Sequence, residues 1–140
     1  MKVIIALIIS MLTTESFAVD PRTAYTMVQK GEAILIDVRE MKELREGMID
    51  KAAWFPMSEM KPGSDILKDF KSITQDKKVF VYCQGGKRAE ACKEILRKEG
   101  IDAESLGGFT ELRHVLPTKS LYQRLNEPYS DTEASNSKRK

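Results

Sequence analysis

The chain has 140 residues, with a hydrophobic fraction of 41% and a charged fraction of 31%. That composition fits one globular domain and excludes a collagen, a coiled coil or a wholly disordered chain. The formal net charge is only +2 and basic residues are interspersed with acidic ones, so no basic stripe indicates nucleic-acid binding.

The first residues have the layout of a secretory leader. Lys2 precedes an apolar run over residues 3–12, and the small residues Ser16 and Ala18 flank Phe17. A membrane anchor is the alternative, but the run is about half of the ~20 residues that cross a bilayer. We therefore predict a signal peptide over residues 1–18 and no membrane segment after cleavage. The protein would be exported, and periplasmic if it comes from a Gram-negative bacterium.

Helix and strand patterns alternate after the leader. A proline at a first helical position and Gly31 as a stop predict a helix over residues 21–30, and a continuous apolar run predicts a buried strand over residues 33–38. A charged helical turn is predicted over residues 40–46, a short strand over residues 52–55, and a helix from Ser64 onward.

The second half continues this alternation. β-branched and aromatic residues predict a strand over residues 78–83, followed by a tight Gly85-Gly86 loop and a helix over residues 87–98. A last strand over residues 101–106 is predicted to break at Gly107-Gly108, before terminal helices over residues 109–115 and 121–125. The pattern predicts an α/β fold with a parallel sheet and helices on both faces.

The polar residues 126–140 follow the last predicted helix. They lack the apolar side chains that would offset the entropy of ordering, so we predict a disordered tail. A localisation signal in the basic cluster at its end is the alternative.

Cys83 is the strongest candidate for a functional residue. It ends a predicted strand, and in parallel sheets ligands bind beyond the carboxyl ends of the strands. Gly85 and Gly86 allow backbone N–H groups to point inward, and the next helix offers its positive end. Lys87 and Arg88 add charge, so this partly exposed position is typical of a reactive thiolate. A buried packing cysteine is the alternative.

The other cysteine and the single histidine receive structural interpretations. Cys92 lies on the apolar stripe of the predicted helix and is interpreted as a packing residue; a disulfide with Cys83 would compete with the loop geometry. His114 is interpreted as a surface or structural residue. One histidine and two ill-spaced cysteines form no metal site, and we expect no cofactor.

Four blocks of sequence occur in a fixed order: Leu35-Ile36-Asp37-Val38-Arg39-Glu40, Glu43-Leu44-Arg45-Glu46-Gly47-Met48-Ile49, Val81-Tyr82-Cys83-Gln84-Gly85-Gly86-Lys87-Arg88-Ala89, and Leu106-Gly107-Gly108-Phe109. Together they resemble the successive motifs of single-domain rhodaneses. The exported form is similar to the periplasmic phage-shock rhodaneses. The resemblance indicates a rhodanese domain over residues 19–125.

The resemblance implies a three-layer α/β fold with a mainly parallel five-stranded sheet and an active-site loop at residues 83–88. It also implies a two-step mechanism. Cys83 would attack the outer sulfur of a donor such as thiosulfate, release sulfite and hold the sulfur as a persulfide among the backbone N–H groups of the loop, which comprises Gln84, Gly85, Gly86, Lys87 and Arg88. Cyanide, a small thiol or a protein thiol would then accept the sulfur from what we expect to be a monomer.

Charged residues near the loop receive roles from the same resemblance. Lys87 and Arg88 would attract the anionic donor, with solvated helix-surface charges as the alternative. Asp37 and Arg39 match a strand-end pair expected to tie the first strand to the loop, with a weak surface ion pair as the alternative. Met48 stands where the family commonly has a histidine, which we expect to alter local packing.

Three other functions are weighed against sulfur transfer. A Cys-dependent phosphatase has five residues between its cysteine and arginine, whereas four separate Cys83 from Arg88. A noncatalytic persulfide carrier or binding module is the second alternative, and the retained Cys83 argues against a module without chemistry. A thiol oxidoreductase is the third, but the chain has no Cys-x-x-Cys pair.

Overall fold

The computed structural model describes residues 18–127, and six strands lie in this part of the chain. They are β1 (Ala33–Asp37), β2 (Met48–Ile49), β3 (Ala53–Trp54), β4 (Lys78–Cys83), β5 (Ala103–Gly108) and β6 (Thr118–Lys119). The central sheet has the order β3-β1-β4-β5, and every neighbouring pair in it is parallel. The carboxyl ends of all four strands therefore lie at one edge.

Five α-helices accompany the strands in the described residues. They are α1 (Pro21–Gln29), α2 (Asp65–Thr74), α3 (Lys87–Lys98), α4 (Phe109–Leu112) and α5 (Leu121–Leu125). Asp20 and Ser64 cap α1 and α2 by accepting backbone N–H bonds from their first turns. A 3₁₀ helix at Met41–Glu46 occupies the predicted charged turn and ends at Gly47.

The two faces of the sheet carry separate hydrophobic clusters. Phe80 and Tyr82 of β4 point into a cluster with α1 and α4, whereas Val79, Val81 and Cys83 point into the cluster with α2 and α3. This alternation is the period of two expected along a strand. The structure thus confirms the predicted α/β class, the mainly parallel sheet and the helices on both of its faces.

Two features of the predicted sheet differ in the structure. The central sheet has four strands in the described residues rather than five, because Met48–Ile49 pairs antiparallel with Thr118–Lys119 and forms a separate ribbon. β5 also continues through Gly107-Gly108, because Gly108 still pairs with Cys83 of β4, but the register of the two strands shifts between Val81 and Cys83. The partner strand here overrides the weak strand propensity of glycine.

Residues 1–17 and 128–140, and with them most of the predicted leader and tail, lie outside the described residues. Between residues 18 and 127 no helix is long and apolar enough to span a bilayer.

Candidate active site

Cys83 lies at the base of a tight loop between β4 and α3. Its Sγ accepts the backbone N–H of Gly86 at 2.9 Å. Gly86 has a φ of +101°, a left-handed value that favours glycine, and it is followed directly by the first turn of α3. The sulfur therefore lies at the positive end of a helix, next to an inward-pointing amide.

The accessibility of Cys83 differs from the sequence-based expectation. The residue is 1% exposed, so the expectation of a partly exposed thiol is wrong in this structure. Gly85, two residues further on, is exposed, and no atom lies within 4 Å of the position that a Cβ would occupy there. Gly85 thus marks the open side of the loop.

Asp37 and Arg39 form an interior ion pair instead of a surface pair. Both side chains are fully buried, and Nη2 of Arg39 lies 2.7 Å from Oδ2 of Asp37. Burial alone would lower the pKa of Arg39, but the hydrogen bonds and charge of Asp37 raise it above its usual value. Arg39 Nη1 donates to Gln84 Oε1 at 3.1 Å, which links the end of β1 to the loop.

Tyr82 completes the surroundings of the buried carboxylate. Its hydroxyl donates to Asp37 Oδ2 at 2.7 Å and accepts the backbone N–H of Ile49 at 3.0 Å. Burial and the neighbouring negative charge raise the pKa of Tyr82, so the hydroxyl stays protonated. Three strands are joined at this point, since Asp37 ends β1, Ile49 ends β2 and Tyr82 precedes Cys83 in β4.

Arg88, the last residue of the loop, is held by a carboxylate from the 3₁₀ helix. Its Nη1 and Nη2 lie 2.7 Å from Oε2 and 2.5 Å from Oε1 of Glu43. This two-point bond is the main reason that the pKa of Glu43 falls to about 2. The hydrogen bond to Glu43 is also the main cause that raises the pKa of Arg88, with smaller contributions from Cys83.

Lys87 takes a different position from Arg88. It is exposed and forms no ion pair within residues 18–127. Together with Gly86, Ser105 and Gly107 it lines an open groove between the start of α3 and the end of β5. Of the two predicted donor-binding cations, only Lys87 is therefore unpaired in the described residues, since Glu90, which lines the same groove, is paired with Lys93.

The end of β5 and the start of α4 pack against the loop. Thr110 Oγ1 donates to the backbone carbonyl of Gln84 at 2.7 Å. A Cβ added to Gly108 would lie only 2.6 Å from that carbonyl oxygen and 2.8 Å from Gly85 Cα. The absence of a side chain at Gly108 thus allows the close approach of β5 to the loop.

The remaining candidates occupy structural positions. Cys92 is fully buried on α3, where burial raises the pKa of its thiol to about 11. Both cysteines are free. His114 is exposed in the turn after α4. Among residues 18–127 there is no group of three or more His, Cys, Asp or Glu side chains that could hold a metal ion.

Sequence reasoning assigned no role to several residues that contact the loop. Glu43 was noticed only as part of a motif block, although its position three residues after Glu40 matches the capping box that the structure contains. Tyr82 was counted only as a strand residue. Gly108 and Thr110 reach the loop from more than twenty positions away, and no local pattern indicates such contacts.

Comparisons with known proteins agree with this geometry. Residues 20–114 match the model of the rhodanese-like domain. Protein YqhL of Bacillus subtilis (strain 168) is 36% identical over 93 residues, which cover 66% of this chain and 62% of that protein. A tRNA uridine(34) hydroxylase of Erwinia tasmaniensis is 29% identical over 98 residues, which cover 65% of this chain but only 28% of the hydroxylase. This chain thus spans less than two thirds of either relative.

A solved structure shows the same fold. The rhodanese-related protein of Thermoplasma volcanium superposes with a TM-score of 0.57 at 26% identity, covering 73% of this chain and 96% of that protein. The family match spans the strand with Asp37, the whole loop and the glycine pair of β5. The chain is therefore a member of the rhodanese-like domain family.

Proposed function

We propose that the protein is a sulfurtransferase that moves a sulfane sulfur from thiosulfate or a similar donor to cyanide or a thiol, through a persulfide on Cys83. Membership of the rhodanese-like family supports a role related to sulfur transfer. The donor, the acceptor and the catalytic residue are our inference from the geometry of the loop.

The first step is a simple displacement at sulfur. The Cys83 thiolate attacks the outer sulfur of thiosulfate, a new S–S bond forms, and the old S–S bond breaks with its electron pair leaving on sulfite. In the second step the acceptor attacks the outer sulfur of the persulfide and regenerates the thiolate. This is covalent catalysis with an activated nucleophile, and it needs no oxidant.

The observation that carries the proposal is the hydrogen bond from the Gly86 N–H to the Cys83 sulfur at 2.9 Å. It shows a backbone donor aimed at the sulfur from the first turn of a helix. Preorganised donors of this kind stabilise a negatively charged sulfur without rearranging during the reaction. A cysteine that served packing alone would gain nothing from a glycine held at a φ of +101° beside it.

Two alternatives remain within the same site. A persulfide carrier would form the same covalent adduct but deliver the sulfur to one protein partner without turnover on small acceptors. A Cys-dependent phosphatase is less favoured, because four residues between Cys83 and Arg88 make a narrower cradle than phosphate needs. The hydroxylase name of one relative does not extend to this chain, which covers only 28% of that protein.

We also propose that this chemistry takes place outside the cytoplasm. The support is the leader pattern of Lys2, the apolar run and Ala18. If the full chain is expressed in a Gram-negative host, the mass of the periplasmic protein should correspond to a start at Val19. A protein retained in the cytoplasm with Met1 or Lys2 at its start would contradict export.

The function is tested by steady-state transfer from thiosulfate to cyanide. The wild type should turn over repeatedly, Cys83→Ser should lose all transfer, and Cys92→Ala should keep it. Full activity in Cys83→Ser would refute the mechanism. A single stoichiometric transfer to cyanide would favour the carrier, and hydrolysis of an aryl phosphate without sulfur transfer would favour the phosphatase.

A further inference from the structure

The Arg88 guanidinium is the charge that sequence reasoning assigned to the anionic donor, but the structure gives it a partner within the protein. Both of its terminal nitrogens bond to Glu43, and the two side chains are only 34% and 20% exposed. Glu43 Oε2 also accepts the backbone N–H of Glu40 at 2.8 Å, so the 3₁₀ helix holds the carboxylate in place. The positive charge at the end of the loop is thus offset by a fixed negative charge.

The same compensation extends around the loop. Arg39, which touches the loop through Gln84, is paired with the buried Asp37. Gln84 Nε2 also donates to Oε2 of Glu46 at 3.2 Å, which brings a further carboxylate to the rim. Of the three cations that belong to or contact the loop, two are paired with carboxylates, Arg39 with Asp37 and Arg88 with Glu43, and Lys87 has no such partner among the described residues.

A loop whose two arginines are each paired with a carboxylate discriminates among anionic donors by their charge. Its backbone N–H groups still favour one negative charge on the reacting sulfur. A second negative charge on the donor receives no uncompensated cation except the exposed Lys87, which lines the groove beside the loop. A dianion such as thiosulfate therefore gains less electrostatic stabilisation at this site than at a site with an unpaired arginine.

We propose that the Glu43–Arg88 pair selects the charge of the sulfur donor, so that this loop favours singly charged organic donors, such as thiosulfonates and organic persulfides, over dianionic inorganic thiosulfate. The inference rests on the proposed sulfurtransferase function. Glu43 acts as a specificity-determining residue through Arg88 and does not take part in bond making.

The test compares two donors with the same sulfane sulfur and different charge, thiosulfate and benzenethiosulfonate. In each case Cys83 removes the outer sulfur, and the leaving group is sulfite or benzenesulfinate. The intrinsic reactivities of the donors differ, so the measured quantity is the ratio of their kcat/KM values and its change between variants. Wild type and Glu43→Gln are compared at low ionic strength.

Glu43→Gln should raise kcat/KM for thiosulfate relative to benzenethiosulfonate about fivefold. This is the expected effect of one unit charge on one additional donor charge in a partly hydrated site. The gain should disappear in the Glu43→Gln/Arg88→Gln double variant, because the released guanidinium is its source. Glu32→Gln removes the same charge beside the amino end of β1, where Glu32 is exposed, and should leave the ratio unchanged.

Salt dependence provides a test on the wild type alone, should Glu43→Gln fold poorly. Because both arginines are paired, we expect thiosulfate kcat/KM to change by less than about twofold between low and physiological salt. A larger fall would overturn the proposal, because it would show that a loop arginine acts on the donor as a free cation.

The outcomes separate this inference from the function on which it rests. An unchanged ratio in Glu43→Gln, an equal loss with both donors, or an equal change in Glu32→Gln overturns donor selection while Cys83 chemistry stands. If neither donor places sulfur on Cys83 in the wild type, the sulfurtransferase function itself fails.

Discussion

Replacing Gly108 by alanine should push the active-site loop out of place without straining its own backbone. Gly108 has an extended conformation, with φ of −121° and ψ of 146°, which alanine adopts freely. The new Cβ would lie 2.6 Å from Gln84 O, 2.8 Å from Gly85 Cα and 2.9 Å from Gly85 C. All three atoms belong to the loop backbone, so no flexible side chain can move aside.

The size of the effect follows from those distances. Ordinary contact for a Cβ begins near 3.4 Å, so the loop must retreat by roughly 0.5 to 0.8 Å. Overpacking of this kind costs about 1–3 kcal/mol of unfolding free energy. A shift of this size at a reacting group can cost up to about 100-fold in rate. We expect kcat/KM for sulfur transfer to fall by about 10- to 100-fold.

The assay pairs sulfur transfer with urea denaturation and uses Gly107→Ala as the matched control. Gly107 has a φ of +91° but no atom within 4 Å of a Cβ position. Alanine there should cost stability through backbone strain of about 1–2 kcal/mol and leave the folded enzyme active. The reasoning is refuted if Gly108→Ala has wild-type stability and rate, or loses no more activity than Gly107→Ala.

Three further predictions concern the residues around the loop. Arg39→Met leaves the buried Asp37 carboxylate without its cation and should lower the unfolding free energy, measured by urea denaturation, by about 3–5 kcal/mol. A loss below about 1 kcal/mol would contradict the buried pair. Because the pKa of Glu43 is lowered from 4.5 to about 2, its pair with Arg88 stabilises the fold above pH 4.5 and loses that effect as the pH falls through 2. Near neutral pH, wild type should be more stable than Glu43→Gln by about 1 kcal/mol, a value set by the partial exposure of the pair. This difference should vanish as the pH falls through that window, and a difference that stayed constant with pH would contradict the pair. Cys92→Ala should lower the unfolding free energy by about 1–2 kcal/mol, because it opens a small gap in the core. Its rate of sulfur transfer should stay within about threefold of wild type. Abolished transfer would show that Cys92 takes part in the chemistry.

Local patterns in the sequence were sufficient for the elements that carry the nucleophile. The apolar run before Cys83 predicted a strand over residues 78–83, and the structure has β4 at Lys78–Cys83. The stripe after the glycines predicted a helix over residues 87–98, and α3 spans Lys87–Lys98. Both depend on neighbouring residues, whose periodicity the sequence displays directly.

Contacts between distant parts of the chain could not be predicted in this way. Each strand of the β2–β6 ribbon has two residues, too few to show a period, and the two strands are far apart in sequence. Gly107 and Gly108 predict the end of a strand, yet both belong to β5. Gly108 is needed there because its missing side chain allows the β5 backbone to approach the loop. The sequence predicts that Arg88 is a free cation, whereas in the structure it is paired with Glu43 of the 3₁₀ helix.

The most direct test of the central claim is the intact mass of the mature protein before and after exposure to thiosulfate and to benzenethiosulfonate. We expect a gain of one sulfur atom, located on the peptide that contains Cys83 and removed by cyanide. Cys83→Ser should show no gain, and Cys92→Ala should behave as the wild type. Sulfur bound to Cys92, or no gain with either donor, would contradict Cys83 as the sulfur-carrying nucleophile.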